Sequence, residues 1–515
     1  MKKLILSIDC GTQSLRTLLF AETGELLHKV QIHYDPYQSP KPGWAEQHPE
    51  IFWESLKTAC ATLKREYPAE FDLVAGIGVT TMRNTMVNLD RNGKPLRPII
   101  TWLDQRKADD IIGRHLLWRM GLRCIGMESA LRTLQRDGKC NWIRQNEPDV
   151  WEKTHKYLQV SGFLNYRLTG KFTDSVASQI GHLPFNYRKM KWAGKLSSPY
   201  LMFPIDRDKL PDLVPPGAAI GRITAEAARE TGIAQGTPVI ACGSDKGCET
   251  IGMGVLDEMT ASLSFGTTAT VQISTKRYYK PIRFMPPYPA PIPGYYNPEI
   301  EIFRGYWMIT WFKDEFAHEE VQAAKQNGTV PEKELDKLLK QSPPGAMGLI
   351  VQPYWGPGLK QPTAKGAMIG FGDVHKKAHV YRAVIEGLGY ALLDGLHTIE
   401  KVSKNKVGRV AVSGGASQSR EICRITADIF NLPLVRGRTS ETSGLGAAIV
   451  TAVGLGIHPT FKSAIKEMVA YDDFFDPDPA NVSLYKKLYN RVYKKIYPVL
   501  KPVYRQIQDI TGYPE

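Results

Sequence analysis

Twice in this chain a buried strand runs into a tight Gly-Thr turn and returns as a second strand. The first copy spans Asp9 to Phe20 around Gly11-Thr12, and the second spans Ser264 to Ile273 around Gly266-Thr267. Each is followed by helices and further strands, the pattern of a duplicated α/β domain with a cleft between its copies. A chain of 515 residues also exceeds what one hydrophobic core supports, so two domains of roughly 200–250 residues are expected. A boundary within Thr231 to Gly254 gives domains 1–250 and 251–515.

Composition removes several classes. A hydrophobic share of 43% excludes a mostly disordered chain. No run reaches the ~18 consecutive apolar residues of a membrane span. The apolar run after Met1-Lys2-Lys3 stops at Asp9, short of a secretory leader, and reads as a first strand. The seven cysteines (Cys10, Cys60, Cys124, Cys140, Cys242, Cys248, Cys423) are odd in number and never spaced as metal ligands, which predicts a reducing, cytoplasmic setting. The net charge of 66 − 52 = +14 suits anionic ligands. The lysines are spread along the chain, however, which argues against nucleic-acid binding. His33, His48 and His182 lack paired metal spacing.

Periodicity predicts an opening meander of Leu4–Ile8, Leu15–Phe20 and Glu25–Val30, then a helix over 51–67 carrying Phe52, Leu56, Ala59 and Leu63 on one face. Leu73–Val79 reads as a buried strand, and Asn92-Gly93 as a hairpin turn between 87–89 and 99–100. In the second half a helix over 381–402, a strand over 407–412 and a helix over 419–431 are expected. The Pro-rich stretch 280–298 reads as a surface excursion. A basic amphipathic helix over 483–508, with Leu484, Leu488, Val492 and Ile496 at intervals of four, is expected to pack on the core rather than bind a membrane.

Four segments carry chemistry. Asp9-Cys10-Gly11-Thr12-Gln13-Ser14 with Arg16 has the small residues and donors of a phosphate turn, and Asp9 could hold Mg²⁺ through water; an ordinary hairpin turn reads the same way. Gly266-Thr267-Thr268 is the matching turn of the second half. Ser413-Gly414-Gly415-Ala416, before Ser419, would let a flat base lie against the backbone near a helix N-terminus. Asp245 follows the apolar strand Val239–Cys242; it could accept a proton from an attacking hydroxyl or simply cap the next helix. The small residues of 441–448 read as close helix packing.

In their order along the chain, these segments resemble the FGGY carbohydrate kinases, the family of glycerol kinase, xylulokinase and gluconokinase. The resemblance covers Leu4 to about Gly456. It rests on Ile8–Arg16, Pro42-Gly43-Trp44-Ala45-Glu46-Gln47-His48-Pro49, Trp102-Leu103-Asp104-Gln105-Arg106, Gly243-Ser244-Asp245, Ser264–Thr268 and Ser413–Ala416. It implies an α/β fold of two duplicated actin-like (ribonuclease H-like) ATPase domains with an interdomain cleft. It also implies a cytoplasmic enzyme using ATP and Mg²⁺ on a small sugar or polyol; dimers are common in the family.

Residue by residue, the resemblance makes Asp245 the catalytic base. Arg83, Asn84, Trp102, Asp104 and Lys246 fall at the sugar, and Asp9 at the metal. Gly11, Thr12, Gln13, Ser14, Arg16, Gly266, Thr267, Thr268, Gly414, Gly415 and Ser419 fall at the nucleotide. Where this chain has Asn84 and Lys246, glycerol kinase has Glu and Gln, a change of about two charge units toward positive that argues against glycerol. A ketopentose such as xylulose is expected, with an acidic sugar as alternative because of Lys246. The rivals are a non-catalytic sugar-sensing member of the fold and an actin- or chaperone-type ATPase, which would lack the 42–49 and 102–106 segments.

Overall fold

A computed structural model describes residues 3–109, 128–282, 285–356, 361 and 363–513; Cys124 lies outside them. The chain forms two compact units. One comprises Met1–Gly252, Tyr288–Tyr296 and Glu441–Met468, the other Met253–Pro287, Asn297–Ser440 and Val469–Glu515.

The first unit is built on β1 (Leu4–Cys10), β2 (Ser14–Ala21), β3 (Leu26–His33), β4 (Val74–Thr81), β5 (Ala219–Arg222) and β6 (Pro238–Ser244). Their order is β5-β6-β4-β1-β2-β3. β1, β2 and β3 form the expected antiparallel meander, β1, β4 and β6 run parallel, and β5 lies antiparallel on β6. Alternation along β1 sorts its side chains. Leu4, Leu6, Ile8 and Cys10 join a core with Phe52, Leu56 and Leu63 of the helix Glu50–Glu66. Ser7 points the other way and donates to the Gly444 carbonyl (2.7 Å) in the helix Thr442–Gly454.

The second unit repeats this plan with β7 (Thr260–Phe265), β8 (Ala269–Gln272), β9 (Glu299–Ile302), β10 (Arg409–Ser413), β11 (Leu434–Gly437) and β12 (Tyr471–Phe475). The order is β9-β8-β7-β10-β11-β12. β7, β8 and β9 are antiparallel, β7, β10 and β11 parallel, and β12 antiparallel on β11. Strand directions match the first sheet position for position, and only the chain order of the last two strands is exchanged, so the duplicated actin-like fold is present. The helix Lys377–Ser403 packs Leu388, Leu392, Leu396 and Ile399 into a core with Leu263, Val271 and Val410.

Three expectations need correction. Residues 251–515 are not one body, because Glu441–Met468 and Tyr288–Tyr296 belong to the first unit. The Pro-rich stretch is no surface excursion, since Ala290, Ile292 and Tyr296 in it are buried. Composition signalled irregular backbone there, which is a different property from exposure. The final helix runs as Pro479–Leu488, a π-helical turn Tyr489–Tyr493 and Lys494–Thr511. It buries Tyr485, Tyr489, Tyr493, Ile496 and Tyr504, while Leu484 and Val492 of the expected apolar stripe are exposed.

The helix Asp245–Gly252 meets Thr442–Gly454 in close backbone approach at two glycines. A Cβ on Gly446 would lie 1.8 Å from the Cys248 carbonyl oxygen, and one on Gly252 would lie 2.0 Å from that of Thr442. No side chain is there to move aside. Gly446→Ala should therefore cost about 1–3 kcal/mol or more, read as a lower urea midpoint at unchanged slope.

Candidate active site

Parallel pairing brings three strand ends level. Cys10 of β1 pairs with Thr81 of β4, and Thr81 with Ser244 of β6. The residues that follow are Gly11-Thr12, Met82-Arg83-Asn84 and Asp245-Lys246. Sequence-distant groups thus emerge at one carboxyl edge, where α/β sheets place reacting groups.

Asp9 and Arg16 are cross-strand partners in the β1–β2 register, and Arg16 Nη1 sits 3.2 Å from Asp9 Oδ2. Arg16 Nε also reaches Glu441 (3.5 Å), which is paired with Lys29 Nζ (2.8 Å). Burial pushes the Asp9 carboxyl up to about 6; Arg16 opposes the rise, and Asp245 and Glu441 add to it. The turn itself is tied down, with Tyr34 Oη donating to the Gly11 carbonyl (2.7 Å) and Gln31 Nε2 to Ser14 Oγ (3.0 Å). Gln13 is exposed. A Cβ on Gly11 would meet only Ser14 O at an ordinary 3.5 Å, so packing does not demand glycine there.

Asp245 opens the helix Asp245–Gly252 directly after β6. Burial raises its pKa, while Arg83 and Lys246 pull it back down. Arg83 lies over the Tyr288 ring, 5.1 Å from its centroid. Lys246 Nζ contacts Glu249 Oε2 at 2.8 Å. Burial alone would lower the lysine, but Glu249 and Asp245 outweigh it and the net shift is upward. Glu249 thus matches the positive charge attributed to Lys246.

Other sugar-site candidates serve the scaffold. The Asp104 side chain is wholly buried and takes hydrogen bonds from Arg106 Nη2 (2.7 Å) and the backbone of Ala45 (2.6 Å) and Arg106 (2.9 Å). Arg106 also pairs with Glu46 (2.8 Å) and lies over the Trp44 and Trp142 rings, 3.7 and 4.6 Å from their centroids. The 42–49 and 102–106 motifs therefore interlock, and Asp104 has no oxygen left uncommitted. Asn84 adopts φ 54°; its Oδ1 accepts from His182 N (3.0 Å) and its N donates to Ile180 O (3.2 Å). Trp102 stays at the edge, its Nε1 donating to Thr12 Oγ1 (2.9 Å).

In the second unit Ser264 pairs with Ser413, so the turns after β7 and β10 share an edge. Thr267 is exposed, and Thr268 Oγ1 donates to the Phe303 carbonyl (3.1 Å). Tyr306 N donates to Gly266 O (3.0 Å), while the Tyr306 ring packs 4.5 Å from that of Phe265 in the core. Gly414 has φ 88°, and a Cβ on it would lie 2.8 Å from Phe265 C, whereas Gly415 faces open space. Ser419 caps the helix Arg420–Phe430 by accepting from Ile422 N (3.1 Å) and donates to Asp336 (2.5 Å). Its hydroxyl is thus committed to the fold.

Residues 4–252 match the N-terminal domain, and residues 261–455 the C-terminal domain, of the FGGY family of carbohydrate kinases. The chain is an FGGY carbohydrate kinase. It is 30% identical over 490 residues to an uncharacterized sugar kinase, YgcE, of Escherichia coli (strain K12), covering 94% of this chain and 91% of that one. It is 28% identical to a xylulose kinase of Lactococcus lactis subsp. lactis (strain IL1403), covering 94% of each. A crystal structure of gluconate kinase from Lactobacillus acidophilus superposes with TM-score 0.81 over 100% of this chain and 99% of that one at 21% identity, which speaks to fold.

A sugar kinase takes ATP as its phosphoryl donor. Among the described residues no group of three His, Cys, Asp or Glu is arranged for a metal. Asp9 offers one buried carboxylate pressed by two others, which suits a Mg²⁺ ion held mainly by phosphates and water. Among described helices, none is long and apolar enough to cross a membrane. Glu249 and Glu441 escaped the sequence reading. Only the Lys246–Glu249 spacing of three on one helix could have flagged the first.

Asp104→Ala in this kinase leaves Arg106 and Lys139 buried around a missing charge. It should destabilise the protein by about 3–5 kcal/mol, seen as a lowered melting temperature, with sugar KM in the folded fraction unchanged.

Proposed function

We propose that this kinase transfers the γ-phosphoryl group of MgATP to a hydroxyl of a neutral ketose, a ketopentose such as xylulose, in the cytoplasm. The observation that carries the reading is Asp245 at the carboxyl end of β6, faced by Arg83 and held at a raised pKa by burial. Asp245 takes the hydroxyl proton as the sugar oxygen bonds to the γ-phosphorus; the bond from phosphorus to the β-phosphate oxygen breaks, and ADP leaves. Arg83 and Trp102 orient the sugar. Gly11–Gln13, Gly266–Thr268 and the 414–415 turn are the nucleotide-binding turns of this reading. Asp9 would hold Mg²⁺, which when bound neutralises phosphate charge. Orientation and fixed charge supply most of the acceleration, because phosphoryl transfer needs little covalent help.

Two features support a neutral sugar. Lys246 is matched by Glu249, and Arg83 faces Asp245, so a sugar carboxylate would meet cations already balanced. Six free, buried cysteines among the described residues support a reducing compartment.

Asp245→Asn should lower turnover by about 10²–10⁴-fold with ADP affinity, measured calorimetrically, nearly intact; normal sugar phosphorylation by that variant would reject the base assignment. The acid limb of kcat/KM for the wild type should lie above the ordinary carboxylate range. A coupled ADP-release screen over pentuloses, hexuloses, polyols and aldonic acids should rank a pentulose first, and an aldonic acid in first place would overturn the neutral-sugar reading.

A further inference from the structure

The ladder between β4 and β6 is interrupted just before Asp245. Ala241 pairs with Val79 and Ser244 with Thr81, so Cys242 and Gly243 together stand against Thr80 alone. Two residues against one make a β-bulge. It moves the alternation of side chains by one place for whatever follows, and Asp245 is the first residue beyond the strand. A bulge also withdraws backbone groups from the ladder, and buried ones need other partners. Here two hydroxyls supply them. Thr80 Oγ1, on the residue opposite the bulge, donates to the Gly243 carbonyl (3.0 Å). Ser175 Oγ donates to the Cys242 carbonyl (2.5 Å).

Both hydroxyls are themselves held in place. Thr80 is fully buried and has Asp9 of β1 as its neighbour on the other side of β4. The Cys248 thiol, in the first turn of the Asp245 helix, contacts the same hydroxyl. Ser175 ends the short strand Thr173–Ser175, and its Oγ accepts from Ala177 N (3.2 Å). Its own N–H donates to the Asp174 carboxylate (2.8 Å), which Ser161 (2.7 Å), Asn165 (3.0 Å) and Gln179 (2.8 Å) pin from other sides. The bulge is walled in as well, since a Cβ on Gly243 would lie 3.0 Å from Pro291 Cβ and 3.3 Å from Ala177 Cβ.

We infer that Thr80 and Ser175 are positioning residues for phosphoryl transfer, their hydroxyls holding the bulge that aims Asp245 at the acceptor. The inference rests on the proposed role of Asp245 as base. A base works only within hydrogen-bond reach of the proton it takes, and a misplacement of about 1 Å costs up to ~100-fold in rate. Released from its hydroxyls, the bulge is able to slide along the ladder and turn the residue that follows toward the other face. Neither hydroxyl needs to touch sugar or nucleotide for this.

The test is steady-state kinetics of full-length Thr80→Val, Thr80→Ser and Ser175→Ala with the best sugar of the screen. Turnover is expressed per ADP-binding site counted by calorimetry, so unfolded protein does not enter. Thr80→Val keeps the side-chain shape and removes the donor. It should lower kcat about 10- to 100-fold and leave sugar KM and ADP affinity within about twofold of wild type. Ser175→Ala should behave alike, and Thr80→Ser should recover most of the turnover. Added to Asp245→Asn, Thr80→Val should cost less than about twofold more, because the hydroxyl acts through that carboxylate. A merely structural hydroxyl lowers the melting temperature and leaves kcat per site at the wild-type value. That result in either Thr80→Val or Ser175→Ala, equal impairment in Thr80→Val and Thr80→Ser, or a full further loss on top of Asp245→Asn would overturn the inference. If Thr80→Val does not fold, Ser175→Ala alone and combined with Asp245→Asn carries the same test. Wild-type turnover in these variants beside an inactive Asp245→Asn defeats this inference alone, whereas an active Asp245→Asn defeats the base assignment itself.

Discussion

Buried charge at the ends of β1 and β6 sets the terms for the acceptor side of this enzyme. Asp245 and Glu441 both press on Asp9, with Arg16 as its counterweight, while Arg83 and Lys246 offset the burial of Asp245. Asp9 and Asp245, both buried at one sheet edge, repel and lose hydration, so neither effect favours their ionisation. The cations oppose both. Packing enforces the arrangement, because β1, β4 and β6 end level and Thr442–Gly454 lies against Asp245–Gly252 through glycines. Without that close approach the Asp245 helix would be displaced from the edge where Asp9 and Arg83 emerge.

Most of the fold was legible because its central strands are largely apolar and its helices carry regular faces. The Gly-Thr turns betrayed the duplication, since each joins the first two strands of a sheet with the same sequence of strand directions. Assignment to a unit was not legible. The helix Thr442–Gly454 shows its small residues in sequence, and close packing was the right reading, but nothing local names Cys248 as the partner. The final helix misled for a related reason. Spacing of four favoured Leu484, Leu488 and Val492, yet tyrosines one position along form the buried face, because a large ring covers more apolar area than a branched aliphatic.

Within the candidate site, position along a strand was the readable signal. Asp245 and Gly11 stand where a strand ends, and the structure brings them to one edge. Asp104 and Asn84 stand in recognisable motifs, but their side chains are absorbed by Arg106, Ala45 and His182. A motif reports that residues are needed together, whether for ligand or for each other. Charge was the least readable quantity. Lys246 looked like an excess cation until Glu249, one helical turn on, balanced it; Glu441 comes from the far end of the chain and had no local cue.

The glycines separate these two kinds of need. Gly414 is forced by the fold, because its φ of 88° and its approach to Phe265 leave no room for a side chain. Gly11 and Gly415 face no such demand, since one has only an ordinary contact and the other open space. A glycine that neither backbone geometry nor packing requires leaves volume beside main-chain N–H groups. That volume is what a phosphate or a base needs in order to come within hydrogen-bonding distance of the backbone. The proposed nucleotide contacts therefore fall to Gly11 and Gly415, while Gly414 serves the sheet, although all three looked alike in the sequence.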